Sequence, residues 1–304
     1  MRCRRVAHRR LKVFCFFFSK KKTFLLCLVF SFQLHAQPLK ISTWNLDWLT
    51  ARSAAQAELP ANVHPRAPED AARLAAYARK LNADIIAFQE VDGQQAAALV
   101  FDPARYTILT TSQSVTQRVG LAIRHGIAAV KNPDFTGLDV EPTAKYPLRD
   151  GLDATLTLAG GATLRILVIH LKTGCQSDAL AGSQRPQCAL LRLQIPPLSA
   201  WIAARAAEKA AFMILGDFNR VFDMPDPMAD AIFHAAPLVR ATEGFQNPCW
   251  DGAPFIDHIL LGGAAATWLR PDSLRVQIFQ EIGEAWKDRL SDHCPVSVII
   301  SPGK

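Results

Sequence analysis

The chain has 304 residues, half of them hydrophobic and a fifth charged, a composition that excludes fibrous and intrinsically disordered proteins. Its formal net charge of +7 first suggests a basic protein that binds nucleic acid. However, residues 1–36 contain nine Lys or Arg and no Asp or Glu, which leaves 25 basic against 27 acidic side chains in the remainder. The excess of basic charge therefore belongs to the N-terminal segment.

This N-terminal segment resembles a secretory signal peptide. A basic region that ends at Lys22 precedes a short apolar run over 23–32, and Ala36 supplies a small residue before a cleavage site. The run is shorter than the roughly 20 residues of a membrane span, and an uncleaved anchor is the alternative. We expect residues 1–36 to be removed, and residues 37–304 to fold as a single domain in the periplasm or outside the cell, without a stable membrane span.

Four of the seven cysteines lie beyond the predicted signal peptide, and an oxidising compartment permits them to form disulfides. Pairing of Cys175 with Cys188 would close one polar loop, and pairing of Cys249 with Cys294 is a weaker expectation. The alternative is a set of four free thiols in a reducing cytoplasm.

Short apolar runs with β-forming composition predict strands, and two segments predict helices. One helix is predicted over 68–80, where acidic residues follow Pro68. A second is predicted to begin near Pro196 and to end at Lys209, because tandem prolines forbid an uninterrupted helix from Arg185 onward. Strands interspersed with helices indicate α/β or α+β layering. The predicted strands are 40–44, 85–88, 106–109, 119–123, 154–158, 164–169, 212–215, 255–261 and 295–300.

Polar side chains that can handle metals or protons recur at the ends of these strands. A single Asp at such a position is usually a cap or a turn residue, and a single His is usually structural. Strand ends converge at one edge of a sheet, however, and the repeated pattern favours a site with the carboxylates, amides and imidazoles that phosphate hydrolysis requires. The residues are Asn45, Glu90, His170, Asp217, Asn219, Asp257, Asp292 and His293.

The motifs around these residues resemble those of the endonuclease/exonuclease/phosphatase superfamily, in order and rough spacing, over about residues 38–300. Gly-Asp-Phe-Asn at 216–219 and Ser-Asp-His at 291–293 are specific when they occur together. The superfamily includes DNase I-like nucleases, abasic-site endonucleases, neutral sphingomyelinases and inositol polyphosphate 5-phosphatases. The resemblance implies an α/β (α+β) fold, a four-layer DNase I-like sandwich of two mixed β-sheets flanked by helices.

The resemblance also implies a divalent metal ion that polarises a phosphate. Glu90, together with Asn45 and Asp292, would hold Mg²⁺ or Mn²⁺, with Ca²⁺ as a further candidate. Oxygen ligands suit these hard ions. Zinc is disfavoured, because the sequence has no His-rich or Cys-rich cluster at a suitable spacing.

The catalytic roles are implied in the same way. His293 resembles the general base of the superfamily, and Asp257 resembles the carboxylate that orients it. Asp217 and Asn219 would position the nucleophile and hydrogen-bond the phosphate. His170 matches a histidine that contacts the phosphate or assists the leaving group in the DNase I-like and sphingomyelinase-like branches.

Three arginines are weaker candidates for substrate binding, because a guanidinium can bind phosphate through two parallel hydrogen bonds. These are Arg118, Arg149 and Arg220, and a solvated charge at a strand edge is the alternative for each. His258 is left out of the site, because a regular strand points it to the face opposite Asp257.

The sequence therefore predicts a secreted, metal-dependent hydrolase of phosphodiester bonds, with nucleic acid as a candidate substrate and no obligate protein partner. The near-neutral mature chain favours an alternative, lipid head groups or small phosphate esters, because duplex binding draws much of its affinity from Lys and Arg. A non-catalytic secreted binding protein is the third hypothesis. The presence of every expected catalytic residue type argues against it.

Overall fold

The computed structural model describes residues 37–223, 226–250 and 252–303. The predicted signal peptide, residues 1–36, lies outside the described residues. Within the described ranges, no helix is long and apolar enough to cross a membrane.

The described residues form two mixed β-sheets of six strands each. The strands are β1 (Leu39–Leu49), β2 (Ile85–Val91), β3 (Tyr106–Thr110), β4 (Arg118–Arg124), β5 (Ala128–Lys131), β6 (Leu152–Thr157), β7 (Thr163–His170), β8 (Phe212–Asp217), β9 (Leu238–Arg240), β10 (Asp257–Gly262), β11 (Arg275–Val276) and β12 (Val296–Ile300). The strand order is β11-β12-β1-β2-β4-β3 in the first sheet and β5-β6-β7-β8-β10-β9 in the second. The predicted fold class is confirmed.

Helices cover the outer face of each sheet. They are α1 (Pro68–Leu81), α2 (Gly93–Ala97), α3 (Pro186–Ala207), α4 (Pro227–Ala235) and α5 (Ala285–Arg289). Leu74 of α1 packs with Phe88 of the first sheet, and Leu198 of α3 packs with Ile214 of the second. Together with the two sheets, these helices make the four layers of the sandwich.

The central core lies between the inner faces of the two sheets, and strand periodicity decides which residues enter it. In β2, Ile85 and Ala87 belong to this core, whereas Ile86 and Phe88 pack beneath α1. Successive side chains of a strand point to opposite faces, so each buried strand supplies two apolar surfaces. This explains why the strands read as continuous apolar runs.

All nine predicted strands are present, while β5, β9 and β11 were not predicted. These three have four, three and two residues, which is too short for a recognisable pattern. Helix α1 begins at the predicted Pro68 and ends before Asn82, which adopts a left-handed conformation.

The predicted break before Pro196 is wrong, because α3 runs unbroken from Pro186 to Ala207 with Pro196 and Pro197 inside it. An interior proline costs about 3 kcal/mol in a helix, since it removes a hydrogen bond and crowds the preceding turn. Buried apolar residues lie on both sides of the prolines, Leu191 before them and Trp201 after them. Burial of such side chains contributes about 1.5–3 kcal/mol each, which offsets the local penalty.

Both expected disulfides are present. Cys175–Cys188 closes the polar loop that precedes α3 and attaches it to the first turn of that helix. Cys249–Cys294 joins the loop before β10 to the turn before β12. The second bridge is adjacent to His293 in sequence, so it restrains one of the predicted catalytic residues.

His258 lies in the outer core of the second sheet, as strand alternation predicts. It is fully buried beside the rings of Phe218 and Phe222. Its Nδ1 lies 2.7 Å from the Thr242 hydroxyl, and its Nε2 lies 2.9 Å from the carbonyl oxygen of Arg220. A neutral ring with one donor and one acceptor satisfies both partners. Burial lowers the pKa of His258 to about 4.

This buried histidine should make the fold sensitive to acid. The pKa of His258 is depressed in the folded chain. Its contribution to the free energy of unfolding is therefore complete above the usual pKa near 6.5 and is lost as the pH falls toward 4. We expect His258 alone to account for a loss of about 2 kcal/mol in the free energy of unfolding between pH 7 and pH 5. Urea denaturation of the wild type and His258→Gln at both pH values measures the difference.

The control for that experiment is His64→Gln, because His64 is exposed in the loop between β1 and α1. Its pH response should equal that of the wild type. If His258→Gln loses as much stability between pH 7 and pH 5 as the wild type does, the buried neutral histidine is not the cause.

Candidate active site

Asp217 is the centre of a polar cluster between the two sheets. It ends β8 and lies beside His170 in the parallel β7 pairing and beside Asp257 in the antiparallel β10 pairing. One carboxylate oxygen accepts the backbone N–H of Asn219 at 2.7 Å, and the other accepts the side-chain amides of Asn219 and Asn45, both at 3.1 Å. Three donors therefore hold a carboxylate that is 1% exposed.

Asn45 connects this carboxylate to the first sheet. Its Nδ2 donates to Glu90 Oε1 at 3.0 Å as well as to Asp217. Its Oδ1 accepts the backbone N–H of Asp47 at 2.8 Å, so every polar atom of the Asn45 side chain is engaged. The second oxygen of Glu90 accepts a hydrogen bond from the Gln117 amide. Sequence inspection did not identify Gln117, which lies just before β4.

His170 lies against the same carboxylates. Its Nε2 is 3.5 Å from Glu90 Oε1 and 3.7 Å from Asp217 Oδ2. The ring is almost completely buried, and its Nδ1 has no hydrogen-bond partner among the described residues. Burial lowers the pKa of His170 well below its usual value, and the positive charge of Arg149 lowers it further. His170 is therefore neutral at physiological pH.

His293 forms the other side of the cluster. Its Nδ1 is 2.7 Å from Asp257 Oδ2, and its Nε2 is 3.8 Å from Asp217 Oδ2 and 3.7 Å from Asp292 Oδ1. Burial acts to lower the pKa of His293, but Asp257 and Asp217 outweigh it and raise that pKa well above its usual value. Burial in turn raises the pKa of Asp217. His293 thus carries a proton beside a carboxylate that is a stronger base than usual.

Glu90 reaches the cluster only because the backbone is irregular. Ile85 and Ala87 face the central core, so regular alternation would point residue 90 outward with Phe88. The pairing of β2 with both neighbours is irregular at this point, and Glu90 has a φ of 57°. A left-handed glutamate costs of order 1–3 kcal/mol and persists where its surroundings enforce it. Bulges of this kind re-aim side chains next to active sites.

Asp47 is a carboxylate near the cluster that the sequence did not identify. It follows Asn45 by two residues in the same motif, which was the available signal, and it has a φ of 44°. Burial raises its pKa to about 7 against the lowering effect of Arg66, and the charges of Asp292 and Glu90 raise it further. Its Oδ2 lies 3.0 Å from Arg66 Nη2. The charges of Glu90 and Asp292 therefore both act on the Asp47 carboxylate.

Of the three predicted arginines, the structure brings Arg149 to the cluster. Arg149 is buried, and its charge acts on Glu90, Asp217 and His170. Arg118 instead donates through Nε to the Val115 carbonyl and lines a separate cavity of about 170 Å³.

Arg220 has a structural environment. Its buried guanidinium pairs with Asp226, the residue that caps α4, and donates to the carbonyl oxygens of Cys175 and Asp178 at 2.7 and 2.8 Å. It therefore ties the loop closed by the Cys175–Cys188 disulfide to the start of α4. Asn219 has a φ of 50°, and the residue that follows it, Arg220, is buried.

Comparisons with known proteins agree with this fold. The model of the Endonuclease/Exonuclease/phosphatase family matches residues 42–293. Among solved structures, truncated Caenorhabditis elegans TDP2 is 18% identical, with a TM-score of 0.55 over 87% of this chain and 98% of that chain. Humanized D. rerio TDP2 is also 18% identical, with a TM-score of 0.59 over 86% and 98% of the two chains.

A third similar structure is the 3′ phosphatase NExo from Neisseria bound to product DNA hairpin. It is 18% identical, with a TM-score of 0.56 over 86% of this chain and 99% of that chain. At these identities the structures show a shared fold. No curated protein sequence matches the chain at a significant level.

Ser291 holds the turn that presents His293. Its buried hydroxyl donates to the Asn45 carbonyl at 2.8 Å and accepts the backbone N–H of His293 at 3.0 Å. We expect Ser291→Ala to lower the free energy of unfolding by about 1–3 kcal/mol, because buried partners are left without a hydrogen bond. Amide hydrogen exchange should also show faster exchange at His293.

Ser42→Ala is the matched control. The Ser42 hydroxyl is equally buried and joins β1 to β12 by donating to the Val296 carbonyl at 2.8 Å. Ser42→Ala should lower the free energy of unfolding by a similar amount without a specific change in amide exchange at His293. Equal acceleration of exchange at His293 in both variants would show that Ser291 has no local role.

Proposed function

The chain belongs to the Endonuclease/Exonuclease/phosphatase family, and from that premise we propose that it is a secreted, metal-dependent phosphodiesterase that acts on nucleic acid. The observation that carries this proposal is the convergence of Glu90, His170, Asp217, Asp257 and His293 between the two sheets. The similar structures support the choice of substrate, since NExo is described with a product DNA hairpin and D. rerio TDP2 with a single-strand DNA product.

The attacking water is assigned to the space between Asp217 and His293. A water molecule can reach both Asp217 Oδ2 and His293 Nε2, because these atoms are 3.8 Å apart. The Nδ1 of His293 is already bound to Asp257, and Asp217 and Asp292 both face Nε2, an arrangement that favours a protonated ring. Asp217 then accepts the proton of the water as the water oxygen bonds to phosphorus and the bond to the leaving oxygen breaks. His293 donates a hydrogen bond to a phosphoryl oxygen, and the leaving oxygen takes a proton from solvent. This division of roles differs from that of the resemblance, which makes His293 the base.

Two further side chains would position the reacting groups around that water. Asn219 fixes Asp217 from two directions, through its backbone N–H and its side-chain amide. His170, neutral and buried beside Glu90, faces the position of the leaving group. Arg149 supplies a permanent positive charge that balances part of the negative charge of Glu90 and Asp217. Preorganised donors and charges of this kind stabilise the transition state without the reorganisation that water would need.

The donor set fits a divalent metal ion. Asp47, Glu90 and Asp292 offer carboxylate oxygens, and like charges at close range favour a cation among them. Ligand atoms of Glu90, His170 and Asp217 also lie within 4.8 Å of one another. Mg²⁺ or Mn²⁺ is the proposed ion, held chiefly by Glu90 with Asp47 and Asp292. When bound, it would neutralise the charge that develops on the phosphoryl oxygens.

Export is the remaining part of the proposal. The two disulfides support it, because such bonds persist mainly in oxidising compartments. Removal of residues 1–36 before folding would deliver the mature chain, 37–304, to the periplasm or the medium. The turn that carries His293 would then be locked by Cys249–Cys294.

The first test is hydrolysis by purified residues 37–304. With Mg²⁺ or Mn²⁺ we expect cleavage of bis(p-nitrophenyl) phosphate and of single-stranded DNA or RNA. His293→Ala should lower kcat by about 10²- to 10⁴-fold, the range for loss of one acid–base group. Lys209→Gln, a change at an exposed residue after α3, is the control and should keep wild-type activity. Sphingomyelin, an inositol phosphate and p-nitrophenyl phosphate complete the substrate panel, and inactivity on all of them would contradict the proposal.

The second test concerns the metal ion. A ligand that binds only the folded chain raises its stability, by about 2.7 kcal/mol at a concentration of 100 Kd. Mg²⁺ should therefore raise the melting temperature of the wild type, and Glu90→Gln should remove most of that increase. Glu243→Gln changes an exposed carboxylate outside the cluster and should leave the increase intact. An unchanged Mg²⁺ response in Glu90→Gln would disprove the assignment of Glu90.

A further inference from the structure

Beyond His170, the chain places a lysine that the assigned chemistry does not use. The β7–β8 ladder continues through Leu171, whose N–H donates to the Asp217 carbonyl at 3.0 Å. The Leu171 side chain is fully buried in the outer core. Alternation along an extended segment puts His170 and Lys172 on the same side of the chain, and the charge of Lys172 acts on His170. The backbone N–H of Lys172 is fixed by Gln194 Oε1 at 2.9 Å.

Arg149 lies beside this lysine. Its Nη2 donates at 2.7 Å to the Leu171 carbonyl, which belongs to the peptide bond that Leu171 shares with Lys172. The Arg149 side chain is 7% exposed, and its Nε has no hydrogen-bond partner among the described residues. A buried guanidinium with unused donors is costly unless an anion accepts from it. Arg149 and Lys172 therefore resemble an anion-binding site in which no acceptor from the described residues takes the place of the anion.

Lys172 is similarly available. It is about half-buried, and the two charges that act on its ammonium group most are those of Arg149 and Glu141. Within the described part of the chain, no side-chain hydrogen bond of Lys172 is formed. Glu141 is exposed, so water screens its attraction. The charges of Arg149 and Lys172 act on each other at the β6–β7 side of the site.

We propose that Arg149 and Lys172 form a second anion subsite, which binds the phosphate next to the one being hydrolysed in a nucleic-acid strand. This inference rests on the proposed function and specifies its substrate class. Two residues of extended chain separate the backbone positions of His170 and Lys172 by about 6.6 Å, which is comparable with the step from one phosphate to the next along a single strand. A phospholipid with one phosphate offers nothing to such a subsite, whereas a nucleic-acid strand offers a regular series of phosphates.

Two substrates that differ by one phosphate test the subsite. Thymidylyl-thymidine has a single phosphodiester, and the trinucleoside diphosphate TpTpT has two. We expect Lys172→Gln to lower kcat/KM for TpTpT about tenfold more than for the dinucleoside, chiefly through KM. Lys172→Arg should restore most of the difference, because it keeps the charge. Lys209→Gln, which removes an exposed lysine after α3, should behave like the wild type on both substrates.

Binding provides a second readout that does not depend on turnover. In the His293→Ala background, the affinity for a labelled single-stranded oligonucleotide is measured across a range of salt concentrations. Loss of one phosphate contact should reduce the slope of log K against log salt by about 0.7 in Lys172→Gln. A lysine with a merely structural role would not change that slope.

The outcomes separate the inference from the function on which it rests. Equal losses on both nucleotide substrates, or an unchanged salt slope, would overturn the subsite and leave the phosphodiesterase standing. The same holds if the wild type prefers sphingomyelin to TpTpT. If the wild type hydrolyses no phosphate ester at all, both proposals are wrong.

Discussion

The site depends on one constraint, the burial of the Asp217 carboxylate between two apolar sheets. Removing such a charge from water costs several kcal/mol unless hydrogen bonds and opposite charge replace the solvent. Asn45 supplies a donor from the first sheet, Asn219 supplies two from the segment after β8, and His293 supplies positive charge from the turn before β12. These groups come from distant parts of the sequence, so the carboxylate is compensated only when the whole sandwich has assembled. Folding and formation of the site are therefore one event.

Register explains why the sequence alone indicates most of this arrangement. Asn45, His170, Asp217 and Asp257 continue the inward-facing positions of their strands, which Ile41, Val168, Leu215 and Ile259 mark by their burial in the central core. A slip of one residue in any of these strands would move its polar group to the opposite face and expose apolar side chains. The apolar pattern that drives assembly thus also fixes the positions of the chemical groups. The same alternation places His258, the neighbour of Asp257, on the outer face of its strand.

The parts that the sequence did not reveal are those where the backbone leaves this pattern. Glu90 was identified by its position at the end of a strand, but strand alternation would point it outward, and it points inward because of a bulge. Asp47 follows the irregular end of β1, where four residues oppose two of β2, so alternation gives no information about its direction. Arg220 and Arg118 were placed by contacts with loops rather than by strand geometry. The prolines of α3 were misread because apolar burial on both sides outweighs a local penalty.

Net charge and local charge give different answers about the substrate, and the local arrangement carries more weight. The chain beyond residue 36 has slightly more acidic than basic side chains, which by itself disfavours a polyanion. Affinity for a phosphodiester, however, depends on the few charges within about a Debye length, 8–10 Å at physiological salt. Positive charge within that range comes from Arg149, Lys172 and protonated His293. The nearby carboxylates supply negative charge, which a divalent ion would offset. With a divalent ion bound, the added positive charge would offset the carboxylates around the reacting phosphate, although residues 37–304 carry slightly more acidic than basic side chains. A protein of this kind should bind nucleic acid weakly away from its active site, and it should select the substrate at the reacting phosphate and its neighbour.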